Sequence, residues 1–259
     1  MIALHRHGFA LIAVLWLIVV LGTLVGLSMA TIRLGNQTTA NRIVLTRGRW
    51  AADACFAIAQ SRWGQGKLGY TATIDLGRGT RCAWSVDDPT ARLNFNASDP
   101  EALRALGAGD AFIDALIERR RAAPFDDLGE VAELAGWDSS WASLGTVTGP
   151  GSVNLSAAPR AVLLALPGLG AEAVDRILYR RSVGRLFAGL DALAADLSPP
   201  ARALLLARYA DLTRVSTFTA PQLVVTAKGW VDGEVPQATL ESLVVPLPDR
   251  LAVVRRRVW

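Results

Sequence analysis

The chain has 259 residues, enough for one or two globular units, and 51% of them are hydrophobic, so a sizeable core is available. Its net charge of +4 is too small to argue for nucleic-acid binding by itself. The two histidines are His5 and His7, so a chain that lost this short N-terminal segment would have none for a catalytic triad or a metal site. Two cysteines are too few for a thiolate zinc site. We therefore expect a protein that is not an enzyme and has no cofactor.

An uninterrupted apolar run, Phe9–Ile32, follows the N-terminal sequence HRHG. Its 24 residues contain neither a charge nor a proline, and a helix needs only ~20 to cross the hydrocarbon layer. The basic residues before it predict a cytosolic N-terminus and export of everything after Arg33. We predict a single membrane-spanning helix over residues 9–33, in the inner membrane, with a periplasmic domain beyond it.

The junction between Gly8 and Phe9 resembles the processing site of type IV prepilins and pseudopilins. In those families a membrane peptidase cuts after the glycine and methylates the new N-terminus. The resemblance therefore implies a leader over residues 1–8 and retention of the apolar helix. An ordinary uncleaved signal-anchor with a chance Gly-Phe pair explains the same residues. A cleaved secretory signal fits less well, because the apolar run is too long.

The spanning helix is predicted to continue to about Trp63, because no proline occurs before Pro89 and the first closely spaced glycines are Gly64 and Gly66. Its outer half carries an apolar stripe with the helical spacing i, i+3, i+4, i+7 and i+8, formed by Ala51, Ala54, Cys55, Ile58 and Ala59. Such a helix is half membrane anchor and half the spine of a folded domain.

Strand-like segments follow the spine helix and return at the end of the chain. Residues 34–90 combine the spine with two strands of a hairpin, at 70–76 and 81–87. Residues 214–259 supply three or more further strands, at 222–231, 239–245 and 251–258. We expect both groups to form one antiparallel, pilin-like sheet on the outer half of the helix, which makes the fold α+β.

Two features of these strands bear on their environment. Cys55 on the spine and Cys82 on the second strand would form a disulfide in an oxidising periplasm, and two buried free thiols are the alternative. Arg255, Arg256 and Arg257 in the last strand predict a solvated sheet edge and not a binding patch.

Between the two groups of strands, residues 91–213 are rich in alanine and leucine at helical spacing and predict an inserted all-α domain. The insertion contains an internal repeat with an offset near 60 residues, with copies at about 93–134 and 153–197. The copies align LNFNA with VNLSA and IDALIERR with VDRILYRR. We expect two similar helical units that pack together. The arginines at 119–121 are interpreted as a solvated helix end.

The second copy contains LPGLGAEAVDRILYRR, which resembles a helix-hairpin-helix motif. Gly168 and Gly170 are predicted to take backbone angles closed to other residues, and the helix after them begins with amides that can hold a phosphate. Arg176, Arg180 and Arg181 would add charge along a DNA backbone. This pattern supports an alternative function, that of the membrane-anchored DNA receptors of competence systems. A glycine hairpin that merely packs two helices explains the same residues.

Taken in order, these segments resemble the K-type minor pseudopilins of type II secretion systems, the general secretion pathway protein K family. The resemblance rests on the Gly8-Phe9 junction, DDPTARLNFN at 87–96, the VNLSAAP and LPGLG unit, and the closing VVRRRVW. Most pseudopilins carry a glutamate at the fifth mature position, which is Ala13 here, and the K-type proteins share this departure. A carboxylate inside the membrane is costly unless it is paired, and a subunit with none ahead of it has no such pair to make.

The resemblance implies a tip subunit that helps to start and cap a short periplasmic filament and supports export of folded proteins across the outer membrane. Its partners would be the I- and J-type minor pseudopilins, the major pseudopilin and the prepilin peptidase, and no contact with nucleic acid is expected. K-type proteins usually carry an acidic calcium-binding insertion as well. Here only Asp126 and Asp127 stand near its position, far short of the six to eight oxygens that calcium takes. We therefore expect no metal.

Overall fold

The computed structural model describes residues 5–259, with side chains from residue 12 onward. The elements of the first half are, in chain order, α1 (His5–Gly64), β1 (Thr71–Gly77), β2 (Thr80–Asp87), β3 (Leu93–Asn94), α2 (Pro100–Ala105), α3 (Asp110–Ala122), α4 (Leu128–Ala132) and β4 (Gly145–Thr146). Those of the second half are β5 (Val153–Asn154), α5 (Arg160–Leu164), α6 (Ala171–Ser182), α7 (Leu190–Ala195), α8 (Pro199–Ala207), α9 (Tyr209–Val215), β6 (Ser216–Thr217), β7 (Leu223–Val231), β8 (Ala238–Pro246) and β9 (Leu251–Val258).

Helix α1 is a single helix of 60 residues, about 90 Å long at the standard rise. It ends at Gly64, one residue beyond the predicted end. Every side chain from residue 12 to residue 43 is exposed, whereas the outer half buries a stripe formed by Ala51, Ala52, Cys55, Phe56 and Ala59. The predicted period is confirmed, but the stripe is rotated toward Ala52 and Phe56, because the sheet covers these two side chains more fully than Ala54 and Ile58.

Strands β1, β2, β7, β8 and β9 form one antiparallel sheet in that order. Strand β2 pairs with β7, with Cys82 opposite Gly229, so the two predicted groups of strands meet in a single sheet. The sheet packs on the outer half of α1 around a core that includes Cys55, Trp84 and Leu240. The predicted α+β fold, a long helix on an antiparallel sheet, is thereby confirmed.

Two glycines let α1 approach the sheet closely. A Cβ atom at Gly229 would overlap the carbonyl oxygen of Gly48 and would lie 2.9 Å from the amide nitrogen of Ala52. A Cβ atom at Gly48 would lie 2.7 Å from the Cβ of Gln237. Glycine in a strand interior marks a place where another backbone comes near, and here that backbone is the spine helix.

The two ends of the sheet differ in their distance from the apolar half of α1. The β1–β2 turn lies at the near end, where Arg47 donates 2.8 Å hydrogen bonds to the carbonyl of Arg78 and the hydroxyl of Thr80. The β8–β9 turn lies at the far end, where Trp63 donates from Nε1 to the carbonyl of Leu247 at 2.6 Å. Strand β2 ends and β7 begins at the far end. The inserted region therefore leaves and re-enters the sheet on the side away from the apolar half.

Residues 88–222 form this insertion, which has a core of its own that includes Phe95, Phe112, Leu155 and Val174. The insertion is not purely helical as predicted. Strand β3 pairs in parallel with β4, and β5 pairs in parallel with β6. These two-residue strands are extended because each opening segment pairs with the segment that closes its own unit.

The two units of the insertion are alike over a longer stretch than the predicted repeat. The amides of Phe95 and Leu155 donate to the carbonyls of Thr146 and Thr217, each at 2.8 Å. The first unit thus extends to Thr146 and the second to Thr217. The offset between the units is 60 from Phe95 to Leu155 and 71 from Thr146 to Thr217. It rises because α8 and α9 of the second unit stand where the first unit has a single 3-10 helix, Ser139–Ser143.

Candidate functional site

The predicted processing residues lie near the N-terminal end of α1. Gly8 and Phe9 belong to the part of the helix whose side chains are outside the described residues. Ala13 is described, and it is exposed on the helix surface. Helix α1 is long and apolar enough to cross a membrane, and no residue of its most apolar segment is buried against the rest of the chain. The first candidate feature is therefore an exposed apolar helix.

Cys55 of α1 and Cys82 of β2 are joined by a disulfide, with their Cα atoms 5.9 Å apart. Both residues are fully buried, and the guanidinium of Arg62 lies 5.0 Å from the centre of the neighbouring Trp84 ring. The bond spans 27 residues, and restricting a loop of that size stabilises a fold by roughly 3.5 kcal/mol. It ties the spine helix to the sheet at the centre of their interface.

The glycine hairpin of the second unit packs helices together. Gly168 has a φ of +76°, as predicted. The prediction is wrong for Gly170, which has an ordinary φ of −75° and is constrained by space instead, since a Cβ there would lie 3.0 Å from Cδ2 of Leu204. At Gly168 a Cβ would lie 3.0 Å from the Cβ of Arg208. Helix α8 and the residue after it thus cover the hairpin.

The first turn of α6 carries a carboxylate where a phosphate would have to bind. Glu172 accepts hydrogen bonds from the hydroxyl and the amide of Ser198, at 2.6 and 2.9 Å. These bonds, the one from the hydroxyl above all, lower the pKa of Glu172 below its ordinary value. A glutamate with a lowered pKa is ionised at neutral pH, and a negative charge in this first turn disfavours binding of a second anion there.

Two of the three arginines in the DNA-binding interpretation are already engaged. Arg180 lies 3.5 Å from Asp196 and 4.8 Å from the centre of the Phe187 ring. Arg181 donates to three carbonyls, those of Leu155, Ala157 and Ala158, and burial lowers its pKa. Arg176 is exposed. Since the hairpin is covered and these side chains do not form one cationic surface, the geometry does not favour the DNA-receptor alternative.

The expected solvated helix end at 119–121 is wrong for two of its three arginines. Arg120 donates to the carbonyls of Phe95 and Ser98, at 3.1 and 2.8 Å. Arg119 forms an ion pair with Glu130 at 2.7 Å. Both side chains fold back onto their own unit, because the helix that carries them ends beside the loop that opens the unit.

These arginines match those of the second unit at an offset of 61 residues. Arg120 corresponds to Arg181, and each donates to carbonyls at the start of its own unit. Arg119 corresponds to Arg180, and each lies over an aromatic ring and beside a carboxylate. The paired arginines at the same place in both copies of the repeat were the sequence signal for this structural role.

Asp126 and Asp127, the two carboxylates considered above as calcium ligands, serve different partners. Asp126 lies 3.7 Å from Arg257, and Asp127 caps α4 by accepting from the amide of Glu130 at 3.1 Å. Within residues 12–259, no group of three or more histidine, cysteine, aspartate or glutamate side chains is placed to hold a metal ion. The loop at Asp126 instead connects the insertion to the last strand.

Strand β9 is an edge of the sheet, as its arginines predicted, but these arginines are not all solvated. Arg256 forms an ion pair with Asp53 of α1 at 2.9 Å and lies 5.1 Å from the centre of the Phe56 ring. Arg257 holds the loop of the insertion at Asp126. Strand β9 therefore contacts the spine helix through Arg256 and the insertion through Arg257.

A cleft of about 710 Å³ lies between the two units of the insertion. Its lining includes three arginines and three carboxylates, namely Asp99, Glu101, Arg104, Arg208, Asp211 and Arg214. Each of these arginines lies within 3.5 Å of a carboxylate. The three positive and three negative charges of the lining sum to zero.

A long N-terminal helix on an antiparallel sheet, with a helical region inserted between two neighbouring strands, gives this chain a pseudopilin-like fold. The fold is similar to that in the crystal structure of the GspK-GspI-GspJ complex from the type 2 secretion system of enterotoxigenic Escherichia coli. The TM-score is 0.53 at 13% sequence identity, over 88% of this chain and 99% of the matched chain. No protein-family profile matches this chain, and no curated protein matches it significantly in sequence. At this identity the similarity concerns the fold.

Proposed function

We propose that this chain is a minor pseudopilin of a type II protein secretion system, and that it takes the K-type position at the tip of the pseudopilus. One observation carries the proposal. The insertion of residues 88–222 is attached to the end of the sheet that points away from the apolar half of α1. The similarity of the fold to the GspK-GspI-GspJ complex, over 88% of this chain, supports the pseudopilin part of the proposal.

The tip position follows from sterics. Subunits of such a filament pack their spine helices side by side, with the apolar halves toward the membrane. A bulky domain at the opposite end occupies the space that a further subunit would need ahead of this one. The subunit would then start the filament and cap it, and addition of major pseudopilin behind it would push folded cargo toward the outer membrane.

The N-terminal half of α1 would anchor the chain in the inner membrane, with its N-terminus in the cytosol and the folded domain in the periplasm. The prepilin peptidase would cut after Gly8 and methylate the amine of Phe9. The absence of a carboxylate at Ala13 suits a subunit with no neighbour ahead of it, because an unpaired charge in the membrane is costly. The role is structural and not catalytic, and the I- and J-type minor pseudopilins are its direct partners.

The first test is the variant Gly8→Ala. We expect it to abolish processing and secretion together, because the apolar helix can enter the filament only after the leader is removed. Mass spectrometry of the N-terminus and an assay of exported protein measure the two effects. Gly109→Ala, in the insertion, is the matched control and should change neither, since a Cβ at Gly109 meets nothing within 4 Å and its φ of −74° suits alanine. Normal secretion by an unprocessed chain would refute the proposal.

A further inference from the structure

The exposed part of α1 has an unusual charge pattern. No aspartate or glutamate occurs before Asp53, whereas Arg33, Arg42, Arg47 and Arg49 all lie in the preceding twenty-one residues. Asp53 is paired with an arginine of β9 at 2.9 Å. Between Arg33 and Arg49 the helix therefore presents positive charge only, and Asp53, the first carboxylate after these arginines, is engaged by the sheet.

Two of these arginines border an apolar strip on the side of α1 that faces away from the sheet. Ile43 and Trp50 are seven residues apart, so they lie on one face of the helix, and they are 54% and 71% exposed. Arg42 and Arg49 follow the same spacing along the edge of that face, and both are exposed. We call Arg42, Ile43, Arg49 and Trp50 the outer stripe. Neither of its arginines forms an ion pair with any residue that the structure describes.

The outer stripe is too far from the membrane to bind lipid headgroups. At the helical rise, Arg42 lies about 15 Å and Arg49 about 25 Å beyond Ile32, the end of the apolar run. The headgroup layer adds only about 5–8 Å on each side of the hydrocarbon core. At this distance the exposed Trp50 is available to a protein partner and not to lipid.

The occupant is also not a second copy of this chain. Two parallel copies of α1 would set arginine against arginine, because Asp53 is the one carboxylate on the described part of the helix and it is already paired. Like charges placed together across an interface oppose binding. A partner that fits must bring carboxylates to the two arginines and an apolar surface to the two hydrophobic side chains.

We infer that the outer stripe is a docking surface for a helix of a different subunit, one that presents an apolar strip bordered by carboxylates. The inference rests on the proposed function and adds to it the face of the spine that meets the partner and the chemistry of the partner's helix. It also predicts that this chain does not build a filament from copies of itself.

The test is co-purification of the full-length chain, in detergent, with the I- and J-type minor pseudopilins of the same bacterium. The double variant Arg42→Glu and Arg49→Glu should recover at least about tenfold less of one partner, because it sets like charges against that partner's carboxylates. Trp50→Ala should cause a loss of several fold. The matched control is the double variant Arg176→Glu and Arg185→Glu, which makes the same change in charge at exposed positions of the insertion and should recover both partners as the wild type does.

Wild-type recovery by the outer-stripe double variant would overturn the inference. The inference would also be overturned if this double variant recovered both partners normally but no longer bound phosphatidylglycerol vesicles, since a membrane would then be the occupant. The same holds if it recovered both partners but lost self-association, since a second copy of the chain would then be the occupant. Failure of the wild-type chain to recover either partner would refute the proposed function, and the inference with it. Formation of the disulfide between Cys55 and Cys82, followed on a non-reducing gel, reports that each variant has folded.

Discussion

The two units of the insertion have the same polar frame and different apolar interiors. In the first, aromatic rings pack together, with Phe112 lying 6.1 Å from Phe95 and 4.7 Å from Trp141 between ring centres. Leu155 and Ala173 stand at the positions that match Phe95 and Phe112. The hydrogen bonds that hold the opening segment recur in both units. The comparison shows that the repeat preserves these hydrogen bonds, which we call the polar frame. The apolar side chains inside each unit can differ in size as long as the core stays packed.

The glycine hairpins give the same lesson. Gly107 and Gly109 of the first unit have φ angles of +90° and −74°, and Gly168 and Gly170 of the second have +76° and −75°. The first unit reaches this geometry with LGAG instead of PGLG. The hairpin thus belongs to the repeated fold, and its presence does not require a phosphate ligand.

The largest loss of stability is expected when the arginine that holds the opening segment of a unit is replaced. Arg181→Met removes charge-assisted bonds to three carbonyls and should lower the free energy of unfolding by about 3 kcal/mol, at the upper end for bonds to a charged group. Arg120→Met breaks two such bonds in the first unit and should cost about 2 kcal/mol. Urea unfolding of the full-length chain, followed by tryptophan fluorescence, measures both. An exposed control, Arg185→Met, should stay within about 0.5 kcal/mol, and equal stability of all three variants would show that the frame does not hold the units.

A smaller effect should separate the two interiors. A Cβ at Gly145 would overlap the ring of Phe95, so Gly145→Ala overpacks the first unit and should cost about 1–3 kcal/mol. The matching residue of the second unit is Ser216, and the smaller Leu155 stands where the first unit has Phe95. Ser216→Ala should cost about 1 kcal/mol, the value of its hydrogen bond to the carbonyl of Leu212.

The same urea measurement gives the comparison at these two positions. The double variant Gly145→Ala with Phe95→Leu brings the first unit closer to the second unit's pair of Ser216 and Leu155, and it should be less destabilised than the sum of its two single variants. Strict additivity would contradict the idea that glycine is present to make room for the ring.

The smallest effect depends on pH and on the second unit alone. The pKa of Glu172 is lowered by its bonds to Ser198, so the carboxylate stabilises the fold above the ordinary glutamate pKa and loses that contribution as pH falls through its lowered native value. Glu172→Gln should remove this part of the pH dependence. The difference in stability between wild type and variant should be greatest at neutral pH and should shrink in acid. Ala111 holds the matching position in the first unit, where no such dependence is expected.

Much of the fold could be predicted because the signals for it are local. The end of α1 at Gly64 follows from two glycines, and the strand segments follow from alternation and hairpin turns. The first forty residues or so of each repeat follow from direct similarity of the two copies. Each of these patterns lies within a short window of the chain, where propensity and period decide the structure.

Contacts that depend on distant residues could not be predicted in this way. Arg257 and Asp126 are 131 residues apart, and neither position marks the other as its partner. Arg119 and Arg120 looked like a solvated helix end because their acceptors lie in a loop placed by tertiary packing. The face of α1 that contains Trp50 became visible as a surface only once the sheet was seen to cover the opposite side.

Strands β2 and β7 are neighbours in the sheet, although the entire insertion separates them along the chain. Asp87 stands opposite Val224 in the antiparallel ladder, a gap that an ordinary hairpin loop of about 2–5 residues would close. In topological terms the insertion is an elaborated hairpin loop. Its size is free to change without altering which strands pair, since the entropy of closing a loop grows only with the logarithm of its length. The same five-stranded sheet can in this way carry inserted domains of very different size.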